Sequence, residues 1–340
     1  MYNFVAIYYN ARMVQGAVVS VPVAPAHANS SLRPVLLERM EKTYQRIEFE
    51  TKGDFKTALT TMFEVLTKDV DGSIFLTLTG HGPFVPGSSC TKISEYARGV
   101  GSDIDLKELF RPFLESRSGA SIDQFEVITD AVSVAKAGYW ARYTGREKSR
   151  SYTVASLIVG TGVGGALVQK YGNHIGTGHH SEFGHTRVHI DAKDPAPISV
   201  CKLHEGCLQG VCSWGAILAR ANEMGMQLDE LLDESNHNHP LWSFQAKYLA
   251  QGCQNFMFTA PPAEIVLVGS LFDLAPKNLI PNIIEEIRSE TGDQFLYNKA
   301  ELDAFLVHRS LSQEALVGAL HHSVSILQND SAHMLQGAER

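Results

Sequence analysis

Apolar residues along this chain follow two rhythms that alternate from segment to segment. "FVAIYYN" (4–10) and "MVQGAVVS" (13–20) read as short strands joined by a tight turn, and "RIEFE" (46–50) reads as a third strand. "DFKTALTTMFEVLTKDV" (54–70) places apolar residues at helical spacing, with Asp54 as its cap. "SIFLTLTG" (73–80) is a continuous apolar and threonine run, the pattern of a parallel strand covered on both faces. A helix over 106–117 follows, then the strand "QFEVITDA" (124–131), which runs into the helical "AVSVAKAGYWARYT" (131–144). "SYTVASLIVGTGVGGALVQKYG" (151–172) predicts a β-hairpin with a glycine-rich turn. Further helices are predicted at 214–226, 240–260 and 276–290, with a buried strand at 263–272. A closing helix at 312–328 carries small residues on one face. The alternation predicts an α/β protein. Strands followed by helices recur once in each half, which suggests two similar domains with a cleft between them. The Pro- and Ala-rich stretch 21–34 reads as a surface loop.

Composition changes this picture little but excludes some functions. A net charge of −8 disfavours general binding to nucleic acid or anionic membrane. No apolar run reaches the roughly eighteen residues needed to cross a bilayer. The first residues have no basic segment ahead of their apolar ones, so they read as strands rather than a signal peptide, and the cytoplasm is the expected compartment. Five cysteines there point to metal binding or incidental use rather than disulfides.

Three of the five lie in "SVCKLHEGCLQGVC" (199–212), where Cys201, His204 and Cys207 fall at intervals of three. Structural zinc takes four sulfur or imidazole ligands in a tetrahedron. One tight loop can supply three of them, Gly206 lets the backbone fold around an ion, and His185 of "SEFGH" can be the fourth. Cys212 is an alternative ligand, expected to point elsewhere from the following helix.

"EFGH" (182–185) followed by "CKLHEGCLQG" (201–210) resembles the signature of the ROK family of repressors, open reading frames and sugar kinases, and most of all its fructokinase branch. In the expected order, "TGHGP" (79–83) resembles the family's element before the sugar site and "ITDA" (128–131) its Thr-Asp pair. "GTGVGGALV" (160–168) resembles its second glycine-rich loop, and "PPAEIVLVGS" (261–270) the approach to its adenine pocket. The resemblance implies two actin-like, ribonuclease H-like domains closing on sugar and nucleotide. These would be residues 1–129 with the last helix, about 312–335, and residues 130–311. It also implies zinc on His185, Cys201, His204 and Cys207, and a homodimer, for which apolar residues near Trp140 and Trp242 are candidates. No helix-turn-helix segment precedes the first strand, which argues against the repressor branch.

Phosphoryl transfer to a sugar needs a base, a sugar clamp, donors for the phosphates and Mg2+. Asp130, between strand and helix, is the expected catalytic base, although position alone equally suits a helix cap. Glu182 and His185 are the expected clamp, with Gly82 and Thr129 also at the sugar. Gly160, Thr161, Gly162, Gly164, Gly165 and Gly269 are expected to bind the nucleotide, the glycines leaving backbone N–H groups open to phosphate. Val132 stands where the family often has a sugar-contacting Asn, and the specificity loop expected at 81–105 is unfamiliar.

The pattern breaks at the first hairpin. Active members resemble one another there in an acidic residue followed by Gly-Gly-Thr-Lys. Here Tyr8 takes the acid's position, and Asn10, Ala11, Arg12 and Met13 replace the rest. Val268, Gly269 and Ser270 replace a Gly-Gly-Gly, and Val268 is expected to crowd an adenine base. Arg12 can bind an anion or lie exposed at the tip. The expected function is therefore an ATP-dependent sugar kinase. The alternatives are a pseudokinase that binds a sugar or a partner, and an enzyme repurposed for a sugar-like metabolite.

Overall fold

The structure, a computed structural model, describes residues 2–10, 12–21, 32–50, 52–82, 104–115, 120–143, 152–171, 174–175, 181–291 and 297–337. The chain divides into two compact units, one of Met1–Ser151, Lys170–His180 and Ser312–Arg340, the other of Tyr152–Gln169 and Ser181–Leu311. Most of the specificity loop expected at 81–105 lies outside the described residues.

In the first unit, β1 (Tyr2–Tyr9) and β2 (Met13–Val21) form the predicted hairpin. Helix α1 (Leu32–Thr43) and β3 (Gln45–Glu48) follow. The stretch read as a surface loop therefore ends in the first turn of α1, where Pro34 is tolerated because first-turn N–H groups have no intrahelical partner. Next come α2 (Lys52–Thr67), β4 (Gly72–Gly80), α3 (Leu106–Glu115), β5 (Ala120–Thr129) and α4 (Asp130–Tyr143). The sheet order is β3-β2-β1-β4-β5, with β1, β4 and β5 parallel. Leu76 and Leu78 of β4 pack with Phe55, Leu59, Met62 and Phe63 of α2 and Phe110 of α3.

The second unit begins with β6 (Thr153–Val159) and β7 (Val163–Tyr171); the end of β7 and the two-residue β8 (His174–Ile175) that pairs with it are grouped with the first. Helices α5 (Leu208–Cys212), α6 (Trp214–Glu223), α7 (Leu228–Leu232) and α8 (Pro240–Thr259) follow. After β9 (Glu264–Val268) come α9 (Ser270–Leu274), α10 (Leu279–Thr291), α11 (Lys299–Asp303) and β10 (Leu306–His308). The sheet order, β10-β9-β6-β7-β8, repeats the course of the first sheet strand for strand. Its core gathers Trp242, Tyr248, Leu249 and Phe256 of α8 against Ile265 and Leu267 of β9 and Ile283 and Ile287 of α10. Trp242 is wholly buried there, its indole N–H 3.4 Å from the Leu231 carbonyl.

Helix α12 (Leu311–Gly337) returns to the first unit. A Cβ on Gly318 would lie 1.8 Å from the Ser133 carbonyl oxygen, so α12 and α4 meet backbone to backbone. The Ser133 hydroxyl donates to the Ala315 carbonyl at 2.7 Å, and the Thr77 and Ser323 hydroxyls pair at 2.6 Å. Thr77 thus faces α12 while Leu76 and Leu78 face α2, the two-sided burial read from this strand. Trp140 of α4 stacks on His321 at 4.6 Å between ring centres. These contacts put α4 in the first unit, so the units part after Ser151 rather than after residue 129.

Candidate functional site

The second unit brings His185, Cys201, His204 and Cys207 together, with their ligand atoms all within 4.8 Å of one another. His185 ends a 3-10 turn, Phe183–His185. Cys201 and His204 lie in the loop before α5, and Cys207 is the N-cap of α5. The loop closes because Gly206 takes φ +65°, which a side chain would strain. Cys201 Sγ lies 3.7 Å from His185 Nδ1 and 3.6 Å from His204 Nδ1, and Cys207 Sγ lies 3.8 Å from His185 Nδ1. Tetrahedral zinc with Zn–S near ~2.3 Å and Zn–N near ~2.0 Å spaces sulfur and nitrogen about 3.5 Å apart, so the donor set fits the ion. Cys212, at the end of α5, is fully buried and outside the cluster.

Burial holds the His185 imidazole below its ordinary pKa, with Glu182 opposing, which leaves a neutral ring suited to coordination. Burial pushes the Cys207 thiol up to about 11, partly offset by the Gly210 N–H that donates to its sulfur at 3.3 Å. A dication among the four donors would reverse that shift, since a coordinating thiol is deprotonated outright. With His185 Nδ1 toward the sulfurs, its Nε2 lies 3.9 Å from the Glu182 carboxylate, which is 57% exposed. At that distance the carboxylate is beyond hydrogen-bond reach and acts on the ring through its charge alone.

The approach to Cys201 is irregular backbone pinned from beneath. Arg220 of α6 pairs with Asp194 at 2.7 Å, both side chains only 1% exposed, and its Nε donates to the Ala196 carbonyl at 3.1 Å. The Tyr248 hydroxyl donates to Asp194 at 2.7 Å.

The glycine-rich turn between β6 and β7 lies in the same unit. Gly160, Thr161, Gly162 and Gly164 all reach the surface, while Gly165 is buried where a side chain would strike Phe256 and Phe183. Gly269 follows β9 at φ +105°, where a Cβ would lie 2.5 Å from the Val159 carbonyl oxygen, so the two glycine turns adjoin. Val268 is wholly buried in β9, so its side chain does not stand over the turn as expected. Ser270 stands there instead, and accepts the Trp214 indole N–H at 2.6 Å.

In the first unit, Tyr9, Gly80 and Thr129 sit side by side at the C-terminal ends of the parallel strands β1, β4 and β5. Asp130 follows at the head of α4, and Gly82 lies just past β4. Asp130 does not carry the helix cap. The buried Thr129 hydroxyl accepts the Val132 N–H at 3.3 Å, and Asp130 Oδ1 accepts the adjacent Ala131 N–H at 2.8 Å. Thr129, expected at the sugar, is therefore engaged in holding α4. Burial raises the Tyr8 and Tyr9 phenols, and the Asp130 carboxylate raises them further. Tyr8 thus lies close enough to sense the candidate base, as a neutral phenol.

At the first hairpin, Asn10 Oδ1 accepts the N–H groups of both Arg12 and Met13, at 2.9 and 3.1 Å. The Arg12 side chain is exposed, and Ala11 lies outside the described residues. Sequence reasoning found the altered turn but missed that Asn10 fills its donors, and it missed Gln209, Trp214 and Arg220 altogether. Asn two residues before a turn amide is a known local acceptor, so only Asn10 carried a readable signal.

Residues 93–322 match the ROK family. The fold is similar to that of a ROK family protein from Streptococcus pneumoniae TIGR4 in complex with sucrose, with TM-score 0.61 and 15% identity, covering 97% of this chain and 99% of that one. It is also similar to the ROK hexokinase from Thermus thermophilus, with TM-score 0.60 and 17% identity over 97% and 99% of the two chains. A ROK family glucokinase from Streptomyces griseus in complex with glucose and AMPPNP aligns with TM-score 0.56 and 15% identity over 94% and 98%. No curated protein matches the sequence. The family match begins after β4 and takes in α3, β5 and α4 of the first unit, the whole of the second unit, the Cys/His cluster and Asp130. The chain belongs to the ROK family, and its two units have the actin-like, ribonuclease H-like fold.

Proposed function

We propose that this chain binds a sugar and transfers the terminal phosphoryl group of ATP to one of its hydroxyls. The observation that carries the reading is the Cys/His cluster that fixes His185 with its second nitrogen toward Glu182. A carboxylate so exposed and so oriented can accept two sugar hydroxyls at fixed spacing. Asp130, at the head of α4 beside the C-terminal ends of the parallel strands, accepts the proton of the attacking hydroxyl. Gly82 flanks the sugar, and Thr129 supports Asp130 through the helix cap. The N–H groups of Thr161 and Gly162, with Gly160, Gly164, Gly165 and Gly269 keeping the turns bare, receive the donor phosphates. Mg2+ bound with ATP supplies charge neutralisation on the transferring group. Zn2+ on His185, Cys201, His204 and Cys207 is structural, because four protein ligands leave no open position. The fructokinase branch and a homodimer are part of the same reading. Purified protein with ATP, Mg2+ and a panel of hexoses tests it. Turnover that disappears in Asp130→Asn supports it, and turnover no greater than that variant's rejects it.

Asn10 favours a second reading, a sugar-binding protein that no longer transfers phosphate. Its side chain already satisfies the turn amides that would meet a donor phosphate. Phosphoryl transfer depends almost wholly on positioning and charge neutralisation, so a filled donor turn costs most of the rate. This reading expects a hexose-dependent rise in Tm with no shift from ATP and Mg2+. Tight, magnesium-dependent ATP binding in calorimetry decides against it.

A further inference from the structure

Two of the four metal ligands lie on chain segments that grip the glycine turn from opposite sides. On one side Cys207 caps α5, and Gln209, two residues on, reaches back so that its Oε1 accepts the Val163 N–H at 3.2 Å. The same oxygen would lie 3.2 Å from a Cβ placed on Gly162, so the amide side chain packs directly on the turn. On the other side the turn bearing His185 is pressed onto β7. A Cβ on Gly184 would lie 2.1 Å from the Val163 carbonyl oxygen, and the Ser181 hydroxyl donates to the Gly165 carbonyl at 2.8 Å. The two segments are tied to each other by the Leu208 N–H on the Thr186 carbonyl at 2.9 Å. Just past α5, the Trp214 N–H donates to the Gly160 carbonyl at 2.9 Å, so the next helix also starts on this turn. Val163 is therefore hydrogen-bonded through its N–H to the segment of Cys207 and closely packed at its carbonyl by the segment of His185.

We propose that Gln209 is a positioning residue that couples the metal centre to the glycine turn. Filling the four ligands locks the segments of Cys207 and His185 against each other. Gln209 then sets the peptide between Gly162 and Val163, and with it the direction of the neighbouring N–H groups. The inference rests on the reading of the four residues as a metal centre, and extends that centre's influence from the Glu182–His185 pair to the phosphate-facing turn. Coupling of this kind is reciprocal, so loss of Gln209 also weakens the metal.

The test uses the full chain, stripped by chelator and reloaded with Zn2+. Amide hydrogen exchange is followed by mass spectrometry, and zinc affinity by competition with a chromophoric chelator. In the wild type, zinc slows exchange both in 199–210 and in 160–165. In Gln209→Ala the slowing persists in 199–210 and is lost in 160–165, and zinc binds about tenfold more weakly. Gln209→Glu, whose carboxylate still accepts the Val163 N–H, restores both. Zinc that binds the wild type without changing exchange in 160–165 overturns the coupling, and this arm needs no variant to fold. A Gln209→Ala protein that responds in 160–165 as the wild type does overturns Gln209 as the link. A chain that takes up no zinc overturns the metal centre itself, and the coupling with it.

Discussion

Asp194→Ala should be among the most damaging single changes in the second unit. The wild-type carboxylate is almost fully buried and receives both the Arg220 guanidinium and the Tyr248 hydroxyl at 2.7 Å. Its other oxygen holds the Ala196 N–H at 3.0 Å. The Arg220 guanidinium lies 5.4 Å from the Tyr248 ring centre, and among the described residues its second terminal nitrogen has no hydrogen-bond partner. Removing one partner of a buried ion pair costs about 3–5 kcal/mol, because the remaining charge stays desolvated. The orphaned phenol adds up to about 1–3 kcal/mol, with overlap between the two. A loss of about 4 kcal/mol is a large part of the roughly 5–15 kcal/mol that a domain commands. Urea denaturation followed by tryptophan fluorescence measures it, as a fall in midpoint at unchanged slope. Replacing the pair together, Asp194→Leu with Arg220→Met, removes both charges and should recover most of the loss. An Asp194→Ala protein within about 1 kcal/mol of wild type, or a double variant worse than the single, would refute the argument.

Three further outcomes are expected. Metal analysis should find about one zinc per chain in the wild type and a small fraction of that in Cys201→Ser, with a lower Tm that added zinc does not restore; an equal zinc content in both proteins would remove Cys201 from the site. Gly318→Ala should destabilise by at least about 1–3 kcal/mol, since the new Cβ meets the Ser133 carbonyl oxygen at 1.8 Å and drives α12 from α4; an unchanged melting curve would show that the two helices separate freely. Lys136 is 2% exposed with its Nζ 2.9 Å from His322 Nδ1, and burial pushes its pKa down to about 8 while Glu126 pulls it up. The cost of that buried charge is full below pH 8 and is relieved as pH rises toward the unfolded value near ~10.4. Lys136→Met should therefore gain up to about 3 kcal/mol over wild type at pH 7, a gain that shrinks by pH 10 in paired urea melts; a gain independent of pH would contradict the assignment.

The sequence by itself determined the element types and the cluster. "SIFLTLTG" could be read as a strand buried on two faces because leucine and threonine alternate at period two, and the structure sends them to α2 and α12 respectively. Cys201, His204 and Cys207 could be read together because one short loop must bring them within reach of a single ion. Elements too short or too polar to display a period escaped, among them the three-residue β10 and the whole of α1. What only the tertiary structure decided are the pairings across distance. Asp194 and Arg220 lie 26 residues apart, and Gln209 and Val163 lie 46 apart. Nothing local to either partner marks it for the other. Trp242 likewise offers the same large apolar surface to a core or to a partner, and α8 settled it by packing on α10. A periodic pattern is a property of neighbouring residues, so it survives in the linear chain. A hydrogen bond from a side-chain amide to a distant N–H exists only once the backbone has been folded back to present it.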